Sequence, residues 1–139
     1  SVVDRNGTVD LHPLQAFRRA AHPGIEGSRF GIGFPLATDA KNNALLVEML
    51  TDAPDVSRDA RYVAVIVLMR HEDDATPLIC QGIWNGEIVL EPAGDQGFGY
   101  DPHFFVREKN CTAAQLPPEE KNALSHRGKA MAQLIQALQ

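Results

Sequence analysis

The stretch RYVAVIVLMR, Arg61 to Arg70, limits the possible folds more than any other part of the chain. Its centre, Val63 to Met69, is an unbroken apolar run, rich in β-branched residues and closed at both ends by charge. Such side chains suit a pleated surface, and a run without alternating polar positions has no face to offer water. The run is also much too short to cross a bilayer. The expectation is a strand buried on both faces, so the fold must be built around a sheet.

The flanking text reads in the same direction. HEDDATP is a turn, and LICQGIW-NG-EIVLEP reads as a hairpin in which Asn85-Gly86 takes the positive φ angles of a tight two-residue connection. HFFV, from His103, is a short strand. Upstream, Leu36 to Leu50 reads as a helix capped by Thr38 or Asp39, with Leu45, Leu46, Met49 and Leu50 on its apolar face. DAPDVSRD, after it, is a polar connection. Pro117 to Leu138 reads as one long helix. Its prolines suit the opening, Glu119 and Glu120 favour the dipole there, and Leu124, Met131, Leu134, Ile135 and Leu138 form a stripe. The first 35 residues carry the weakest pattern: LQAFRRAA reads as a short helix and HPGIEGSRFGIGFP as a glycine-rich loop. The predicted class is α/β, with a mixed, largely antiparallel sheet, a long hairpin and flanking helices. A length of 139 residues suits one domain with a real core.

Charge narrows the function classes. A net charge of −5 argues against a nucleic-acid backbone or an anionic membrane as partner, since both call for a broad basic face. A small anionic ligand stays open, because EEKNALSHRGKA gathers cations locally. Cys80 and Cys111 have no metal-ligand spacing and read as free thiols of a reducing cytoplasm.

Two stretches can carry chemistry. In GFGYDPHFF, Gly97 and Gly99 free the backbone around Phe98, whose ring can lie against a flat ligand while Asp101 and nearby backbone groups read that ligand's edge. The alternative is a tight loop with Phe98 tucked into the core. In EEKNALSHRGKA, a continuous helix would put Lys121 and Ser125 on one face, with His126 and Arg127 beside them. Lys121 offers a point charge to phosphate, and His126 and Arg127 offer donors to oxygens. The alternative there is a solvated surface.

Taken together and in this order, the two stretches resemble the C-terminal part of the inosine/xanthosine triphosphate pyrophosphatases, which remove non-standard purine nucleotides. RYVAVIVLMRHEDDATPLICQGIWNGEIVLEPAG is similar to that family's strand and hairpin, and HPGIEGSRF and ATDAKNNALLVEML extend the likeness upstream. The resemblance implies a single domain over 1–139, with 1–35 diverged and 36–139 the family-like core. It also implies hydrolysis of a purine nucleoside triphosphate of the ITP, XTP or dITP class to monophosphate and pyrophosphate, in a cytoplasmic homodimer using Mg²⁺. Phe98, Gly99, Tyr100 and Asp101 would line the base pocket, with Phe98 stacked on the purine. Lys121 would contact the nucleotide, Ser125 would belong to the same site, and His126 with Arg127 would recognise the 6-oxo group. Arg29 would serve the phosphates or brace its loop.

The chain also departs from that pattern. The family's opening strand and its TGNxxK-type phosphate loop have no counterpart, roughly the first third of a typical member. Where the family has an ADDSGL-type turn, this chain has VVDRNGTV. Without a gap Arg5 takes the catalytic position; with a one-residue insertion Asp4 takes it, as catalytic acid and metal ligand. Asp10 is the other carboxylate nearby, while Asp73 and Asp74 read as solvated turn residues. HPLQAFRRAA, which includes Arg18 and Arg19, is an insertion that either replaces phosphate contacts or forms an exposed helix face. These departures keep a second reading open, a catalytically inactive relative that binds purine nucleotides or serves as an oligomeric interaction module.

Overall fold

A computed structural model of the chain describes residues 38–139, together with the backbone of the strand β1, Val9–Leu11. Its sheet has the order β1-β2-β3-β4-β5, where β2 is Asp59–Leu68, β3 Leu78–Ile88, β4 Phe104–Val106 and β5 Cys111–Thr112. The fold is therefore α/β, as the sequence predicts. β2 and β3 are neighbours joined only by residues 69–77, a link too short for a parallel crossover. The long hairpin exists, but it turns at HEDDATP and not at Asn85-Gly86.

β3 runs straight through Asn85-Gly86 for a packing reason. A Cβ at Gly86 would lie 2.6 Å from Cζ of Phe104 and 2.7 Å from the Phe105 carbonyl oxygen. The glycine makes room for a ring rather than for a turn.

The chain divides into two compact units, Ser1–Arg61 with Asn85–Leu116, and Tyr62–Trp84 with Pro117–Gln139. In the first, helix α1 (Asp39–Thr51) starts after Thr38, whose hydroxyl accepts from the Lys41 N–H at 3.2 Å. Arg58 Nη2 donates to the Leu50 carbonyl at 2.8 Å, placing a cation where the helix leaves carbonyls unpaired. β4 pairs antiparallel with β3 (Ile88 opposite Phe104) and with β5 (Val106 opposite Cys111). Ile88, Phe104, Val106, Ala113 and Ala114 form the core of this unit, each 2% exposed or less.

In the second unit β3 alternates strictly. Cys80, Gly82 and Trp84 are buried, while Ile79, Gln81 and Ile83 are exposed. β2 does not meet its expectation of burial on both faces, since Val65 and Val67 are 57% and 54% exposed. An apolar run identifies a strand, whereas its burial depends on covering layers that the run does not encode. The turn is built on Asp74, which is buried rather than solvated. Its carboxylate accepts from the Arg70 backbone N–H and side chain and from the Thr76 N–H, while Asp73 stays exposed.

The C-terminal segment is two helices, not one: α2 (Pro118–Leu124) and α3 (His126–Ala137). Ser125 separates them with an extended backbone (φ −66°, ψ 157°), and its hydroxyl accepts from the Gly128 N–H at 3.1 Å. A serine hydroxyl offers the backbone an alternative to continuing the helix, and here it caps a new one. Gly128 permits the join, because a Cβ there would overlap the Asn122 carbonyl oxygen. The predicted apolar stripe is largely uncovered; Ala130 is the buried residue of α3, and Met131, Ile135 and Leu138 are exposed.

Candidate functional site

The glycine loop lies wholly in the first unit. Gly94, Gly97 and Gly99 have φ of 85°, 75° and 63°, the left-handed region that side chains disfavour. Between the last two sits Phe98, 57% exposed, so the ring is not tucked into the core. Its backbone is nonetheless held. The Phe98 N–H donates to Asp101 Oδ2 at 2.9 Å, and the Asp101 N–H returns to the Phe98 carbonyl at 3.3 Å. Gly99 is gripped from α1: its N–H donates to Asp39 Oδ2 at 2.9 Å, and its carbonyl accepts from Asn43 Nδ2 at 3.0 Å. Asp39 and Asn43 are one helical turn apart, so a single rod supplies both bonds.

Charge and burial shape the neighbours of that ring. Burial pushes the Tyr100 phenol up, and the negative charge of Asp39 adds to the shift. Asp101 is 4% exposed, and its Oδ2 is committed to the loop. His103, also buried, lies with Nδ1 2.8 Å from the Val89 carbonyl. A carbonyl only accepts, so Nδ1 carries the proton. The loop is thus an exposed aromatic ring on a fastened backbone.

The second unit holds the other cluster. Ser125 is buried as the cap of α3, Lys121 and His126 are half-buried, and Arg127 is exposed. Because Ser125 interrupts the helix, Lys121 and Ser125 do not share a continuous helical face. The His126 ring stacks on Tyr62 with centroids 4.8 Å apart and planes 12° apart; Tyr62 lies 6.2 Å from Trp84 on β3. Gly82 lets the helix approach, since a Cβ there would overlap the His126 carbonyl oxygen and sit 2.8 Å from the Ala130 nitrogen. Side chains of α3 also bond the backbone of β3. Gln133 Oε1 accepts from the Gln81 N–H at 3.1 Å, and Lys129 Nζ donates to the Ile83 carbonyl at 2.9 Å. His126 and Arg127 therefore project from a helix start fixed by packing, capping and strand contacts.

Of the residues singled out in the sequence, Phe98, Gly99, Tyr100 and Asp101 come together in the first unit, and Lys121, Ser125, His126 and Arg127 in the second. Asp4, Arg5, Arg18, Arg19, Arg29 and the side chain of Asp10 lie outside the described residues. Among the described residues no group of three or more His, Cys, Asp or Glu side chains could hold a metal ion. No described helix is long and apolar enough to cross a membrane. The sequence reading missed Asp39 and Asn43 as loop contacts and Tyr62 as the platform for His126. The only trace of the first two was an acid and an amide four apart at a helix start.

A family model described as the Ham1 family matches residues 16–137. The chain is 52% identical over 116 residues to a dITP/XTP pyrophosphatase of Pseudomonas aeruginosa, a match covering 84% of this chain and 57% of that protein. It is 51% identical to the dITP/XTP pyrophosphatase of Escherichia coli K12, covering 84% and 58% respectively. Among solved structures, a HAM1 protein from Coxiella burnetii superposes with a TM-score of 0.73 at 49% identity, again over 84% of this chain and 58% of the other. The Staphylococcus aureus Ham1 protein gives 0.68 at 35% identity, with the same coverage. The chain spans 57–58% of the length of these relatives.

Proposed function

The chain belongs to the Ham1 family, and on that premise we propose that it binds inosine- and xanthosine-type purine nucleotides and hydrolyses their triphosphates to monophosphate and pyrophosphate. The supporting observation is Phe98, an exposed ring whose backbone is fastened on both sides. A base stacked on such a ring gains about 1–3 kcal/mol, and a loop backbone already held loses little order on binding. To His126 and Arg127 we assign recognition of the 6-oxo group. Donors aimed at a carbonyl are left unpaired when an adenine amino group takes its place, which favours hypoxanthine and xanthine. Lys121 is assigned to the nucleotide's negative charge, and Ser125 to holding the start of α3 through its cap.

Mg²⁺ belongs to this reading, because neutralising the phosphates and activating water are what such a hydrolysis demands. Asp4 is assigned to the metal, and Arg29 to the phosphates or its loop. A second copy of the chain is the proposed partner, in support of which Val65, Val67 and Ile79 leave an aliphatic surface on the second unit. Cytoplasmic residence accords with two cysteines that are both free thiols.

The test is pyrophosphate release from ITP, XTP and ATP with Mg²⁺, beside a thermal-shift titration with IMP. Release from ITP and XTP well above that from ATP, with a rising midpoint in IMP, is expected. Rates equal to buffer would remove hydrolysis, and an unmoved midpoint at saturating IMP would remove nucleotide binding as well.

A further inference from the structure

We propose that Asp39 and Asn43 are positioning residues for Phe98: from one helix they hold both polar groups of Gly99 and thereby fix the backbone from which the exposed ring projects. The inference rests on reading Phe98 as the surface that receives the purine.

Phe98 is 57% exposed and both flanking glycines are in the left-handed region. Hydrogen bonds fasten the backbone that carries the ring. Asp101 fixes the Phe98 N–H, and Asp39 and Asn43 fix the N–H and carbonyl of the next residue. The peptides on both sides of the Phe98 Cα are therefore tied, one to the 3₁₀ turn Asp101–His103 and one to α1.

Helix capping does not account for Asp39. Thr38 already supplies the cap, and the Asp39 carboxylate reaches 60 residues along the chain. Asn43 carries a further sign. Its Nδ2 serves the Gly99 carbonyl, while its buried Oδ1 has no hydrogen-bond partner among the described residues. An acceptor left unsatisfied is costly, and turning the amide over would set oxygen against oxygen at Gly99. That cost is explained if holding the Gly99 carbonyl is the function of the side chain.

The experiment compares the chain with Asp39→Ala, Asp39→Asn, Asn43→Ala, Phe98→Ala and the Asp39→Ala/Phe98→Ala double variant. Calorimetric titration gives Kd for IMP and for ribose 5-phosphate, which lacks the base. Asp39→Ala is expected to weaken IMP about tenfold, the scale of one charge-assisted hydrogen bond, with Asn43→Ala in the same direction. Asp39→Asn, which keeps an acceptor oxygen, should recover most of the loss. Ribose 5-phosphate should bind all variants alike, and Asp39→Ala should add nothing in the Phe98→Ala background. Hydrogen exchange over residues 94–102 should rise in Asp39→Ala while exchange within α1 does not. If Phe98→Ala weakens IMP but Asp39→Ala and Asn43→Ala do not, or exchange over 94–102 is unchanged, the positioning role is wrong and the purine reading stands. If Phe98→Ala leaves IMP binding intact, the purine reading fails and this proposal with it.

Discussion

Replacing Gly82 with alanine puts the packing of the second cluster to a direct test. The added Cβ would overlap the His126 carbonyl oxygen and lie 2.8 Å from the Ala130 nitrogen and 2.9 Å from the His126 carbonyl carbon. All of these are backbone atoms in the first turns of α3, so no side chain can swing away to relieve the contact. The helix start must move off the strand, or the strand must bend. Forcing one extra carbon into such a site costs about 1–3 kcal/mol. For a chain of this length each kcal/mol lowers Tm by about 3–6 °C. A fall of roughly 5–15 °C is expected in thermal denaturation followed by circular dichroism. The displacement also opens the His126–Tyr62 stack, which should change the near-ultraviolet signal of Tyr62 and Trp84 before unfolding begins. Gly99→Ala is the comparison for the spectrum, because an added Cβ there would meet nothing within 4 Å and its cost is a left-handed backbone, about 1–2 kcal/mol, without displacement of α3. A Gly82→Ala protein with wild-type Tm and spectrum would refute the close approach of α3 to β3.

Asp74 is held well below the usual carboxylate range, chiefly by the Arg70 guanidinium, with the backbone N–H groups of Arg70 and Thr76 adding to it. A depressed folded pKa stabilises the native state above the unfolded value near 4 and loses that contribution as pH falls further. Asp74→Asn should therefore flatten the acid limb of a stability–pH profile below about pH 4, and an unaltered limb would show that the turn carries no such linkage. Asp39→Asn should lower the midpoint of Tyr100 in a tyrosinate absorbance titration by removing a nearby negative charge, and an unmoved midpoint would show that this charge does not reach the phenol. Ser125→Ala should cost about 1 kcal/mol in urea denaturation through loss of the α3 cap, and a change below a few tenths would mean that water or the neighbouring turn replaces it.

The parts of the fold that rest on local chemistry were legible in the sequence. Thr38 capped its helix as expected, and the β-branched run made a strand. Failures came where one residue type answers two different needs. Asn85-Gly86 has the composition of a tight turn, yet Gly86 is there to admit Phe104, a contact invisible without the partner strand. The apolar pattern from Pro117 to Leu138 ran on past Ser125, because periodicity does not reveal a serine that caps a new helix. Burial was overestimated at Val65, Val67, Met131 and Ile135 for a related reason, since sequence gives the apolar side of an element but not what lies against it. At the candidate site the glycines announced the loop, while the sequence left Phe98 either exposed or tucked into the core, and the structure shows it exposed. The fastening of the Gly99 backbone by Asp39 and Asn43 spans about sixty residues of chain and needed coordinates to be seen.

On the proposed function a purine lies flat against Phe98. This is tested most directly by nuclear Overhauser measurements on the chain with isotope-labelled phenylalanine rings and bound IMP, using Phe98→Leu to assign the signals. Contacts from the hypoxanthine H2 and H8 protons to the Phe98 ring, absent in that variant, are the predicted result. Saturated IMP with no contact to that ring would contradict the account.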